Sequence, residues 1–129
     1  MKRDMNLIRE MLIDIETKAT REEPLFASDF CEANTRRKET WTIPQCAEHM
    51  RLLSEAGFIE FDDCRTIDGQ VDDAYAIRIT WVGHEFIANI HNDKVWAKVK
   101  KSLLKLGAGA SADLVKALAA KAAADVLGL

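Results

Sequence analysis

The sequence predicts a mainly helical α+β fold, and three observations carry that expectation. Residues 42–55 place apolar side chains at helical spacing behind a capping-box pattern of Thr42, Pro44 and Gln45. After Gly57 the hydrophobic period changes from 3.6 to 2, with Phe58, Ile59 and Phe61 in one segment and Tyr75, Ile77 and Ile79 in another. Thr80 then stands where an alternating strand gives way to a helix through Phe86, Ile87 and Ile90. Helix, hairpin and helix in that order are expected to form a winged helix-turn-helix core with a β-hairpin wing and additional C-terminal helices.

A chain of 129 residues is the size of one ordinary domain. At 48% hydrophobic and 30% charged residues it lies well away from disordered composition, so it is expected to fold. The net charge of -3 gives no overall attraction to nucleic acid or to an anionic membrane, and any such binding must come from a local patch. Cys31, Cys46 and Cys64 are an odd number without CxxC spacing, which predicts reduced thiols in a cytoplasmic protein. Charges interrupt the apolar stretches at both ends, so neither an export signal nor a membrane anchor is expected.

In chain order, Met5, Ile8, Met11, Leu12 and Ile15 predict an amphipathic helix over residues 4–18, with Asp4 as cap and Asp14 on the wet face. Residues 20–41 lose any clean period. A short helix capped by Ser28 fits there, as does a strand or an ordered loop. Arg36, Arg37 and Lys38 form a consecutive basic run, flanked by Glu32 and Glu39, and are candidates for contact with nucleic acid or an acidic partner.

In the helix after Thr42, Ile43, Cys46, Ala47, Met50 and Leu53 form the expected buried stripe, and Gly57 the stop. The opposite face carries Gln45, Glu48, Leu52 and Glu55, with His49 and Arg51 at its sides. A recognition helix in the major groove ordinarily offers Arg, Lys, Asn or Gln, so this acidic-to-neutral face weighs against that use. His49 has no second histidine or carboxylate at metal or catalytic spacing and reads as structural.

The hairpin connection holds Thr66, Ile67, Asp68, Gly69 and Gln70, whose Asp-Gly pair favours a tight turn. Around it Asp62, Asp63, Asp68, Asp72 and Asp73 join Glu60, opposed only by Arg65 and Arg78. A DNA-binding wing needs the other sign. The five aspartates are therefore candidates for an acidic wing contact with a protein, and they lack the spacing of a calcium loop. Gly83 is expected to let the next helix approach the sheet closely.

Four segments, MKRDMNLIR, HMRLLSEAGFIE, TWVGHEF and KVWAKVK, resemble a family of short bacterial and prophage proteins known only as a domain of unknown function. The resemblance spans most of residues 1–106. It implies a winged-helix-like fold and a phage or mobile-element context, and carries over no activity and no catalytic residue.

Further on, Asp93 is the expected cap of a helix whose apolar face is Val95, Trp96, Val99, Leu103 and Leu106. Lys94, Lys98, Lys101 and Lys105 line its other side and are the second set of candidates for nucleic-acid or acidic-partner contact. A glycine-rich break precedes an Ala-rich helix capped by Ser111, with Leu114, Val115, Leu118, Ala119, Ala122 and Val126 on its apolar side. The expected domains are thus residues 1–106, winged-helix-like, and residues 107–129, a helix packing on the body or on a dimer mate. No phosphate loop, nucleophile elbow or zinc spacing occurs, so no enzyme activity, metal or cofactor is expected. DNA, a protein partner and a homodimer are the partner classes left open.

Overall fold

The computed structural model describes residues 1–33, 40–106 and 109–128. They form six helices and three strands, a mainly helical α+β fold, in two compact units, Met1–Gly83 and His84–Leu129.

The first unit begins with α1 (Met5–Lys18). Asp4 caps it, its Oδ1 accepting from the amides of Asn6 and Leu7 at 3.0 and 3.2 Å. Leu7, Ile8, Met11, Leu12 and Ile15 are buried. Asp14, expected in water, is also buried, with the Lys18 ammonium 3.4 Å away. Then come β1 (Leu25–Phe26), α2 (Ala27–Ala33) and α3 (Ile43–Glu55). Of the helix, strand or ordered loop left open by the sequence here, the described residues form a two-residue strand and a helix, and the helix starts at Ala27 and not after Ser28. Near its start one residue looks to another strand: Asp73 accepts from the Ser28 amide at 3.1 Å and from its hydroxyl at 2.6 Å.

α3 forms as the capping box predicts, Thr42 Oγ1 accepting from the Gln45 amide and Gln45 Oε1 from the Thr42 amide. Its buried face is Cys46, Ala47, His49, Met50 and Leu53, while Ile43 stays exposed. Gly57, at φ 83, turns the chain into β2 (Ile59–Arg65), which pairs antiparallel with β3 (Val71–Ile79). β1 pairs with the other edge of β3, so the sheet order is β1-β3-β2.

Glu60 pairs with Arg78 and Phe61 with Ala76, which makes Ile77 the extra residue of a bulge. Alternation inverts there. Ala74 and Ala76 face the core, Ile77 faces out, and Ile79 returns inward.

α4 (Trp81–Ile90) starts at Thr80, whose Oγ1 accepts from the Gly83 amide at 3.0 Å and donates to the Gly57 carbonyl. A Cβ on Gly83 would stand 2.2 Å from the Phe58 carbonyl oxygen and 2.7 Å from Ile79 Cγ2. The glycine is required by this close approach.

In the second unit the buried residues of α4 are Phe86, Ile87 and Ile90. α5 (Asp93–Leu106) packs on α6 (Ala112–Leu127). The cap of α5 is Asn92, not Asp93: Asn92 Oδ1 accepts from the amides of Lys94 and Val95. Val95, Trp96, Val99 and Leu103 are buried, and Leu106 is exposed. Ser111 caps α6 as expected, and Val115, Ala119, Ala122 and Ala123 form its buried side. Leu114, placed on that side by the sequence pattern, is exposed.

Substitutions at two positions test this packing. Gly83→Ala is expected to cost roughly 3 kcal/mol, because a backbone carbonyl must move to admit the methyl group. Asp4→Ala is expected to cost about 2 kcal/mol and Asp4→Asn about half that, since the amide oxygen still accepts from the α1 backbone. Urea unfolding with an unchanged slope measures both.

Candidate functional site

The first unit carries one polar constellation that on paper offers chemistry, around His49. The imidazole is 1% exposed. Its Nε2 accepts from the Asp4 amide at 2.8 Å, so that nitrogen bears no proton. Nδ1 then donates to the Gln45 carbonyl at 2.7 Å. Asp4 Oδ2 accepts from Trp41 Nε1 at 2.9 Å, and the Trp41 ring lies 6.1 Å from that of buried Phe30. Both ring nitrogens and both carboxylate oxygens are thus engaged: Nε2 joins α3 to the residue that caps α1, Oδ2 joins that residue to Trp41, and Nδ1 and Oδ1 bond within α3 and α1. This geometry makes His49 structural, as its sequence context predicts.

A groove of ≈ 240 Å³ lies between the start of α3 and the hairpin. Ile43, Pro44, Ala47 and Val71 give it an apolar lining, and Glu48, Asp63 and Asp72 with Arg51 and Arg65 give it charge. Neither guanidinium is left uncompensated. Arg51 is bracketed by Glu48 and Glu55, its Nε 3.1 Å from both Glu48 oxygens, and this pairing holds the Glu48 carboxyl below the usual carboxylate range. Arg65 lies 3.6 Å from Asp63 and donates to the Gly69 carbonyl. Outside the groove, Arg78 pairs with Glu60 across the strands at 2.9 Å.

The five hairpin aspartates do not form one surface. Asp73 is half-buried, and its carboxylate accepts from the Ser28 amide and hydroxyl near the start of α2. Asp68 sits at the turn, where hydrogen bonding from Thr66 lowers its pKa. Asp62 accepts from the Asp63 amide on β2, whereas Asp63 and Asp72 face the groove. Asp72 belongs to a second irregularity in β3, where Cys64 pairs with Asp73 and Arg65 with Val71.

Of the cationic candidates, Arg36, Arg37 and Lys38 lie outside the described residues. Lys94, Lys98, Lys101 and Lys105 all lie exposed on α5. Lys98 is engaged with Asp125 of α6 at 3.2 Å, and the other three make no ion pair among the described residues. Among the described residues no group of three or more His, Cys, Asp or Glu is placed to hold a metal ion, and no helix is long and apolar enough to cross a membrane.

Sequence reasoning missed the groove. Its charged half is legible as Glu48-x-x-Arg51 and Arg51-x-x-x-Glu55 helical spacing, but its apolar half needs the hairpin to place Val71 near Pro44.

Residues 2–110 match the model of a family described as "Hypothetical protein (DUF2513)". An uncharacterized protein of Haemophilus influenzae is 30% identical over 119 residues, which cover 92% of each chain. No solved structure matches the chain. The family match over most of the sequence agrees with the resemblance carried by the MKRDMNLIR, HMRLLSEAGFIE, TWVGHEF and KVWAKVK segments, and the chain belongs to the DUF2513 family.

Proposed function

We propose that the Met1–Gly83 unit is a non-enzymatic, regulatory winged-helix module whose α3–hairpin groove docks a basic, amphipathic segment of a protein partner. The winged-helix reading is supported by the order helix, short strand, two helices and hairpin, with β3 central in a three-stranded antiparallel sheet. The docking reading is carried by one observation: both arginines of the groove, Arg51 and Arg65, are already compensated by carboxylates of their own element. What the groove then offers is an apolar lining under an acidic excess. A phosphate backbone is repelled by that combination, and a partner with lysines beside leucines or valines is complemented by it. The absence of catalysis is supported by His49 and Asp4, whose polar atoms are consumed by the fold. Since fold alone does not decide function, the charge arrangement carries more weight than the winged-helix scaffold.

DNA binding is the second reading. It is favoured by Lys94, Lys101 and Lys105, which are exposed on one helix and make no ion pair among the described residues. In that case the positive surface belongs to α5 and not to the recognition helix or wing.

Fluorescence anisotropy separates the two, with a labelled amphipathic Lys/Leu peptide and a labelled mixed-sequence duplex as probes. The docking reading expects peptide binding that weakens with salt and falls about five-fold on Asp63→Lys or Asp72→Lys. Failure to bind the peptide at low salt overturns it. Duplex binding that drops on Lys101→Glu while the hairpin variants leave it unchanged supports the second reading instead.

A further inference from the structure

The buried face of α3 meets α2 through two sulfur atoms. Cys31 Sγ and Cys46 Sγ are 3.0 Å apart, although both cysteines are free thiols. A disulfide bond is about 2.05 Å long, so the two sulfurs need approach by only about 1 Å to bond. Cys46 lies in the second turn of α3 and is fully buried, while Cys31 is partly exposed on α2. The third cysteine, Cys64, sits on β2 and belongs to neither helix.

We propose that Cys31 and Cys46 form a reversible dithiol/disulfide pair that, when oxidised by a hydroperoxide, staples α2 to α3. The partly exposed Cys31 thiolate attacks a peroxide oxygen. The O–O bond breaks, the leaving oxygen departs as water, and Cys31 becomes a sulfenic acid. Cys46 Sγ then attacks Cys31 Sγ, the S–S bond forms, the S–O bond breaks, and a second water leaves with the Cys46 proton. In total two thiols supply two electrons and two protons to one hydrogen peroxide, giving one disulfide and two waters. A dithiol reductant reverses the bond by exchange.

The covalent link closes a span of 15 residues, and Arg36, Arg37 and Lys38 lie within it in sequence. Oxidation therefore fixes both ends of the segment bearing the basic run, along with the helix that lines the groove. Closing a loop of that length removes entropy from the unfolded chain, so the oxidised form unfolds at a higher temperature. Burial pushes both thiols above the ordinary thiol value, which keeps thiolate scarce at neutral pH. The pair consequently oxidises more slowly than an exposed cysteine and responds to sustained oxidant.

The full-length protein is treated with hydrogen peroxide, unfolded, alkylated with N-ethylmaleimide and weighed intact, and its peptides are mapped without reduction. One adduct, at Cys64, is expected in place of three, with the peptides of Cys31 and Cys46 joined within one chain. The thermal midpoint should rise by on the order of 5–10 °C and return on dithiothreitol treatment. The rate should climb about ten-fold per pH unit near neutrality, as the thiolate fraction does. Cys64→Ser should leave the cross-link intact, and Cys31→Ser, at a partly exposed site, should abolish it. Three adducts after treatment, a linkage that includes Cys64, a bond between chains, or over-oxidation of Cys31 without cross-linking would each overturn the proposal.

Discussion

The carboxylate of Asp4 is the point on which the Met1–Gly83 unit depends. One oxygen satisfies the first free amides of α1, the other accepts the Trp41 indole, and the backbone amide of the same residue donates to His49 on α3. Two helices and the Trp41 segment, distant in sequence, are thereby tied at one residue. The network is part-buried, and a hydrogen-bonded polar network of that kind both stabilises and specifies an arrangement. It also consumes the histidine that a search for chemistry would single out. The polar atoms of Asp4 and His49 are spent on position, as are those of Thr80 at the sheet–helix junction and Asp73 at the start of α2.

Much of this was legible in the sequence wherever the signal is local. The caps at Asp4, Thr42, Thr80 and Ser111 are defined by residues within a few positions, and each forms as its pattern predicts. Gly83 was legible too, because a glycine in the first turn after a strand has few reasons to be there other than close approach. What was not legible is non-local. Ser28 looked like a cap, but its partner Asp73 lies 45 residues away, on a strand that must first pair with β1. Ile77 fitted an unbroken alternation, but a bulge turns it to solvent and puts two alanines inside. Asp14 sat on the charged side of a helical projection and is buried because tertiary packing extends around that helix.

The same division applies to the candidate site. The acidic character of the α3 face and of the hairpin could be counted directly, and the clamping of Arg51 follows from helical spacing. The sorting of the five aspartates into an acceptor for Ser28, a turn residue, a β2 residue and two groove-facing side chains could not. That sorting changes the functional argument. A uniformly acidic hairpin is an unspecific surface that repels anions, whereas Asp63 and Asp72 beside Ile43, Pro44 and Val71 define a concave place with both apolar and electrostatic demands. The lysines of α5 belong to a different compact unit, so charge is divided in the chain by structural unit as well as by sign.

The claim on which all of this rests is that His49 and Asp4 serve as fixed structural partners. Long-range nitrogen–proton correlation on the His49 ring measures it directly. A proton on Nδ1 that exchanges slowly, with Nε2 unprotonated and shifted as a hydrogen-bond acceptor, is the predicted result, and substitution of Asp4 by Ala should leave that tautomer because the Asp4 contact is made by the backbone amide. A proton on Nε2, or a ring averaging between tautomers, would contradict the account and return His49 to the list of groups available for chemistry.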